Sequence, residues 1–108
     1  MRWTIAQVAG AVGSRPGAGL DPLARVAGVS IDSRTLRPGE LFIAIHGPRH
    51  DGHDHVAGAL EGGAVAAMVA EAQLGRYFDE ICGRCIPVAD TVGVSQLRTS
   101  RKEEPSKR

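Results

Sequence analysis

Apolar residues along this chain fall in short runs rather than in long stripes. Val29-Ser30-Ile31 and Leu41-Phe42-Ile43-Ala44-Ile45 are rich in β-branched residues, and each is followed by polar residues that a core would not hold. The second run is apolar at every position, as expected of a central strand buried on both faces. A strand is predicted over residues 26–31, broken at Gly28. A small-residue strand follows over residues 64–70, with Val65 and Val69 as its larger members, and Cys85-Ile86-Pro87-Val88 reads as a final short strand.

Helix and turn signals fill the intervals. Thr4 and Gln7 have the spacing of a capping box, with Trp3 and Val8 at the staple positions, so a first helix is predicted over residues 5–12 with Gly13 as its stop. Residues 14–22, rich in Gly and Pro, read as a loop. Arg37-Pro38-Gly39-Glu40 reads as a turn, because Pro presets φ at its second position and Gly accepts positive φ at its third. Asp54 is placed to cap a short helix through Leu60, ended by Gly62-Gly63. Residues 71–78 fit a short helix or a turn, and Asp90 is placed to cap a helix fading near Leu97. Helix, strand, strand, helix, strand, strand, helix is the order of a small α/β domain.

Composition narrows the class without naming a function. A length of 108 residues predicts one domain that buries roughly 65% of its unfolded surface. Aromatics make up only 4%, so the core has to be built from Ala, Val, Leu and Ile. The net charge of +1 hides an asymmetry: residues 98–108 carry five basic and two acidic side chains, and the rest carries eight basic and ten acidic. A polar, basic tail over residues 92–108 is therefore expected to be disordered. The body has no basic patch interleaved with aromatics, so no nucleic-acid partner is expected. No run of about 18 apolar residues occurs, so no membrane span is expected, and the default location is the cytoplasm.

Candidate chemistry concentrates in residues 29–55. Asp32-Ser33-Arg34 follows a strand end, where a hydroxyl can donate to a phosphate oxygen and a guanidinium offers a fork of donors. Spacing alone leaves open an Asp–Arg surface pair with a turn-forming Ser. His46, His50, His53 and His55 crowd one loop with Asp51 and Asp54, and Cys82-Gly83-Arg84-Cys85 adds a C-x-x-C. No second cysteine pair or following H-x-x-x-H completes a zinc pattern, so no metal site is expected, and the cysteines read as two reduced thiols. Ser33 lacks a nucleophile-elbow context, and no G-x-x-x-x-G-K-[ST] occurs, so no catalytic residue is assigned.

An ordered set of pieces in this stretch resembles the N-terminal domain of the Mur ligases, ATP-dependent enzymes that extend the peptide of the bacterial cell-wall precursor. The pieces are Asp32-Ser33-Arg34, Pro38-Gly39-Glu40-Leu41-Phe42-Ile43-Ala44, Gly47, Asp51-Gly52-His53-Asp54 and Gly63-Ala64. The opening Trp3-Thr4-Ile5-Ala6-Gln7-Val8-Ala9 resembles the branch that adds D-alanyl-D-alanine; the sister branch that adds the third peptide residue shares the DSR and DGH pieces. The resemblance covers about residues 2–90.

The resemblance implies a small mixed-sheet α/β domain, residues 1–91, that binds the UDP end of UDP-N-acetylmuramoyl-peptide. It implies that Ser33 contacts the diphosphate, that Ile31 lies against the nucleotide, and that Pro48, Arg49 and His50 border the uracil. Asp32, Arg34, Gly47, Asp51, Gly52 and His53 take supporting roles, and His53 and Asp54 orient the loop and cap the next helix. His55 departs from the family, which usually has an aromatic or apolar residue there. ATP and Mg2+ belong to the central and C-terminal domains of the full-length family; without their P-loop, this chain is expected to be catalytically incomplete, with the missing domains as partners in trans. A stand-alone interaction module is the alternative from another class.

Overall fold

A computed structural model describes residues 3–46 and 51–89. The predicted tail and the helix expected after Asp90 lie outside the described residues, as do Gly47, Pro48, Arg49 and His50. The described strands are β1 (Gly28–Ser30), β2 (Glu40–Ile43), β3 (Ala66–Ala70) and β4 (Cys85–Val88), in a single sheet of order β1-β2-β3-β4. All three pairings are parallel, with Val29 opposite Leu41, Ile43 opposite Met68, and Met68 opposite Ile86. The α/β fold is the one expected. Among the described residues, antiparallel pairing, which a mixed sheet would require, is confined to isolated bridges, Thr4–Arg25 and His46–Asp51.

Parallel strands explain why β2 and β3 lack polar alternation. Leu41 and Ile43 face one side, where they pack with Val26, Met68, Ile86 and the buried Ile5 and Val8 of helix α1 (Ile5–Ala11). Phe42 and Ala44 face the other side, with Ala67, Val69 and the buried Val56, Ala59 and Leu60 of helix α2 (Val56–Glu61). Complete burial of a side chain such as Phe42 contributes about 2–3 kcal/mol. Two apolar layers therefore clamp the sheet and fix the direction in which its strand ends point. Among the described residues, no helix is long and apolar enough to cross a membrane.

The α1 capping box is formed: Thr4 Oγ1 accepts from Gln7 N–H, and the Gln7 side chain accepts from Thr4 N–H. The remaining first-turn donors are met by the Ala24 and Pro22 carbonyls. Trp3, expected as a staple residue, stays 44% exposed. Gly28 lies inside β1 rather than breaking the strand; a Cβ there would sit 3.1 Å from Glu40 Oε2. The Arg37–Glu40 turn closes as predicted, with Gly39 at φ 88° and Glu40 N–H donating to the Arg37 carbonyl.

Beyond β3 the short helix or turn expected over residues 71–78 forms, and a second helical turn that was not expected follows it. A 3₁₀ helix spans Glu71–Arg76, and a separate helical turn, α3 (Asp79–Cys82), precedes β4. Cys82 thus closes a helix and Cys85 opens a strand. Both are free thiols that donate to backbone carbonyls, Cys82 Sγ to Leu74 and Cys85 Sγ to Ile81. Burial, then the neighbouring Cys82, pushes the Cys85 thiol up to about 12, which makes it an inert packing residue.

The outer edge of β4 is covered by the glycine-rich loop predicted from sequence. Gly17 N–H donates to the Cys85 carbonyl, Gly19 N–H to the Gly83 carbonyl, and Ser14 Oγ to the Pro87 carbonyl. Gly17 is required for this approach, because a Cβ would lie 2.4 Å from the Gly83 carbonyl oxygen. Pro87, with no N–H to offer, is suited to such an edge.

Candidate ligand cleft at the carboxyl end of the sheet

In a parallel sheet, every carboxyl end opens on the same side, and connecting loops shape a crevice there. Here the crevice is a cleft of about 520 Å³. Its apolar surface comes from Phe42, Ile45 and Ile31, with Gly52 beside them, and its polar surface from Asp32, Ser33, Arg34 and His55. Ile31 lies one residue past the end of β1 and is 54% exposed, so it presents apolar surface to the cleft. Asp32, Ser33 and Arg34 thus share one concavity with Ile31, and Gly52 and His55, the first and last residues of the 3₁₀ turn Gly52–His55, line it as well.

The strand-side wall is a compact turn. Ser30 Oγ accepts from Asp32 N–H and donates to the Asp32 carbonyl. The Asp32 carboxylate accepts from Arg34 N–H at 2.8 Å and takes the Arg34 guanidinium in a fork, Nε to Oδ1 and Nη2 to Oδ2, both at 3.1 Å. The Arg34 side chain, followed by its backbone N–H, lowers the Asp32 carboxyl below its ordinary range. Arg34 therefore balances Asp32. Ser33 is half-buried, and its hydroxyl has no hydrogen-bond partner among the described residues.

The helix-side wall is held by His53, which is 2% exposed. Its Nε2 accepts from Ala70 N–H at 3.0 Å, so the ring proton sits on Nδ1 and is donated to Asp51 Oδ1 at 2.7 Å. Asp51 also caps the Gly52–His55 3₁₀ turn by accepting from His53 N–H, and it takes Arg76 Nη1 at 3.1 Å. Burial by itself would raise the Asp51 carboxyl, but the His53 and Arg76 hydrogen bonds outweigh it and hold the group well below the carboxylate range. Tyr77 Oη donates to the His53 carbonyl at 2.6 Å, and burial pushes its phenol up, which keeps it a donor.

Two sequence assignments are corrected here. Asp54 does not cap the helix: it pairs with Arg76, α2 has His55 at its N-cap position without a side-chain bond, and Asp51 caps the preceding 3₁₀ turn. His53 does not cap either; its ring links the loop to the end of β3. Gly52 is demanded by packing, since a Cβ would lie 2.7 Å from Ile45 N and 3.1 Å from Ala44 Cα. Sequence reasoning missed Arg76 and Tyr77, which lie 25 and 24 residues from their partners and carry no local pattern. It also gave His55 no place in the cleft. Among the described residues, no group of three or more His, Cys, Asp or Glu side chains could hold a metal ion.

Comparison with known proteins agrees with this architecture. The family model described as "Mur ligase family, catalytic domain" matches residues 25–101. The UDP-N-acetylmuramoyl-tripeptide--D-alanyl-D-alanine ligase of Mycobacterium leprae is 55% identical over 47 residues, covering 43% of this chain and 9% of that protein. The enzyme of the same name from Mycobacterium tuberculosis is 44% identical over 72 residues, 62% of this chain and 14% of its own length. The UDP-N-acetylmuramoyl-L-alanyl-D-glutamate--2,6-diaminopimelate ligase of Synechocystis is 46% identical over 70 residues, 64% of this chain and 14% of its own. Among solved structures, MurF from Acinetobacter baumannii superposes with a TM-score of 0.71 at 28% identity, covering 90% of this chain and 20% of that one. The chain thus spans between 9% and 14% of the length of these curated relatives. With residues 25–101 matched in sequence and a parallel α/β fold shared with MurF, the chain belongs to the Mur ligase family.

Proposed function

We propose that the cleft binds the UDP moiety of UDP-N-acetylmuramoyl-tripeptide, as the N-terminal part of a ligase that adds D-alanyl-D-alanine during synthesis of the peptidoglycan precursor. The observation that carries this reading is the pairing in one cleft of an exposed Ile31 with a Ser33 hydroxyl that has no partner among the described residues. An apolar surface beside free polar donors suits a flat nucleoside joined to a diphosphate. In this reading Ser33 donates to a phosphoryl oxygen, Ile31 lies against the nucleoside, and Pro48, Arg49 and His50 border the uracil. Asp32, Arg34, Asp51, Gly52 and His53 shape the two walls, and Gly47 keeps the supporting role that the family resemblance implies. A cytoplasmic location goes with the substrate.

ATP and Mg2+ are not assigned to these residues. The sequence holds no P-loop, and the described side chains offer no cluster suited to a cation. The diaminopimelate-adding sister ligase is the second reading, favoured by the Synechocystis relative at 46% identity. Both readings share the same UDP handle.

Isothermal titration with UDP-N-acetylmuramoyl-tripeptide tests the proposal. Saturable binding is expected, weak and on the order of millimolar, because one domain supplies only part of the contacts. Ser33→Ala should weaken it tenfold or more through loss of one hydrogen bond to a charged oxygen, worth about 1.5–3 kcal/mol. No saturable heat, or wild-type affinity in Ser33→Ala, would sink the reading.

A further inference from the structure

The cleft contains a polar side chain with no role so far, His55. Each carboxylate on the cleft walls already has a cationic partner. Arg34 takes both oxygens of Asp32, Arg76 takes Asp54, and Asp51 is shared by His53 and Arg76. Among the described residues, this leaves two polar side chains lining the cleft without hydrogen-bond partners, Ser33 and His55. His55 occupies the N-cap position of α2, yet its side chain makes no capping bond. The 3₁₀ turn Gly52–His55 runs straight into the helix, so the imidazole is left exposed and turned to another use. It lines the same cleft as Asp32 and Ser33.

We propose that His55 is a ligand-binding residue of this cleft, donating an imidazole N–H to the phosphoryl part of a nucleoside diphosphate. The inference rests on the UDP-binding reading and deepens it. Ser33 approaches the diphosphate from the strand wall and His55 from the helical wall, so the anion is held between two donors on separate elements. With the Arg34 guanidinium engaged by Asp32, the imidazole adds an N–H donor to this end of the cleft.

The test is a pair of chemical-shift titrations of the full 108-residue chain, one with UDP and one with uridine. They are run on wild type, His55→Leu, His55→Ala and Ser33→Ala. His55 is exposed and makes no hydrogen bond among the described residues, so both His55 variants should melt with the wild type. His55→Ala repeats the measurement with a side chain too small to clash. The expected result is a fivefold or greater loss of UDP affinity with uridine affinity unchanged, in both His55 variants. Wild-type UDP affinity in the His55 variants, alongside a loss in Ser33→Ala, overturns the role of His55 and leaves the UDP reading standing. Equal losses for UDP and uridine overturn the phosphoryl assignment. A wild-type protein that binds no UDP overturns the UDP reading and this inference with it.

Discussion

His53 carries the most exacting prediction, because one buried ring joins its own loop to the end of β3. Replacing it with Ala removes an imidazole that is 2% exposed, strands the Ala70 N–H at the end of β3, and takes one of the donors from Asp51. An unsatisfied buried N–H costs about 1–3 kcal/mol, and the vacated ring volume adds a further amount, on the order of 1–2 kcal/mol. The Asp51 term is smaller, since Arg76 and His53 N–H still serve that carboxylate. The total is about 2–5 kcal/mol, a fall in melting temperature of roughly 10–30 °C for a domain of this size. His53→Gln places an amide oxygen near the position of Nε2, so it should restore the Ala70 bond and recover about half of the loss. Urea unfolding followed by far-UV circular dichroism measures both variants. A His53→Ala midpoint within error of wild type would refute the argument, as would a Gln variant no better than Ala.

Two further predictions follow from the same wall. The Asp51 carboxyl is depressed in the folded chain and returns to its ordinary value on unfolding, so the unfolded chain binds the proton first as pH falls. Its stabilising contribution is therefore whole above the carboxylate range and is lost as pH drops through that range toward the folded value. Asp51→Asn should be less stable at neutral pH and converge with wild type on acidification; parallel acid limbs, in urea titrations between about pH 7 and about pH 3, would contradict this. Gly52→Ala would push a Cβ against the backbone of Ala44 and Ile45, so a loss of about 2 kcal/mol is expected, with weaker UDP binding as the wall shifts. A variant with an unchanged urea midpoint would contradict the close approach.

The division between what was legible in the sequence and what was not follows the range of the forces involved. Local signals acted over a few residues and were readable: the Thr4–Gln7 capping box, the Arg37–Glu40 turn with Gly39 at positive φ, and the end of α2 at Gly62-Gly63 all form. The unbroken apolar run of β2 announced a strand covered on both faces, because a two-sided core leaves no position for a polar residue. All three residues of the DSR piece line the cleft, whereas only Gly52 of the DGH piece does.

Other features needed the tertiary structure. The helical turn Asp79–Cys82 is four residues long, too short for periodicity to show. Asp54 leaves the α2 cap unmade and pairs with Arg76, which arrives from beyond β3 and also bonds Asp51, the cap of the 3₁₀ turn. His53 reads in sequence as one of a crowd of histidines. Only its position beneath the loop, against Ala70, makes it a buried link rather than a ligand or a cap. By itself the sequence determined the strands, the turns and the strand-end polar residues, since each depends on neighbours in the chain. Strand direction, the shared cleft and the free side chain of His55 depend on residues brought together across the sheet, and the tertiary structure alone decided them.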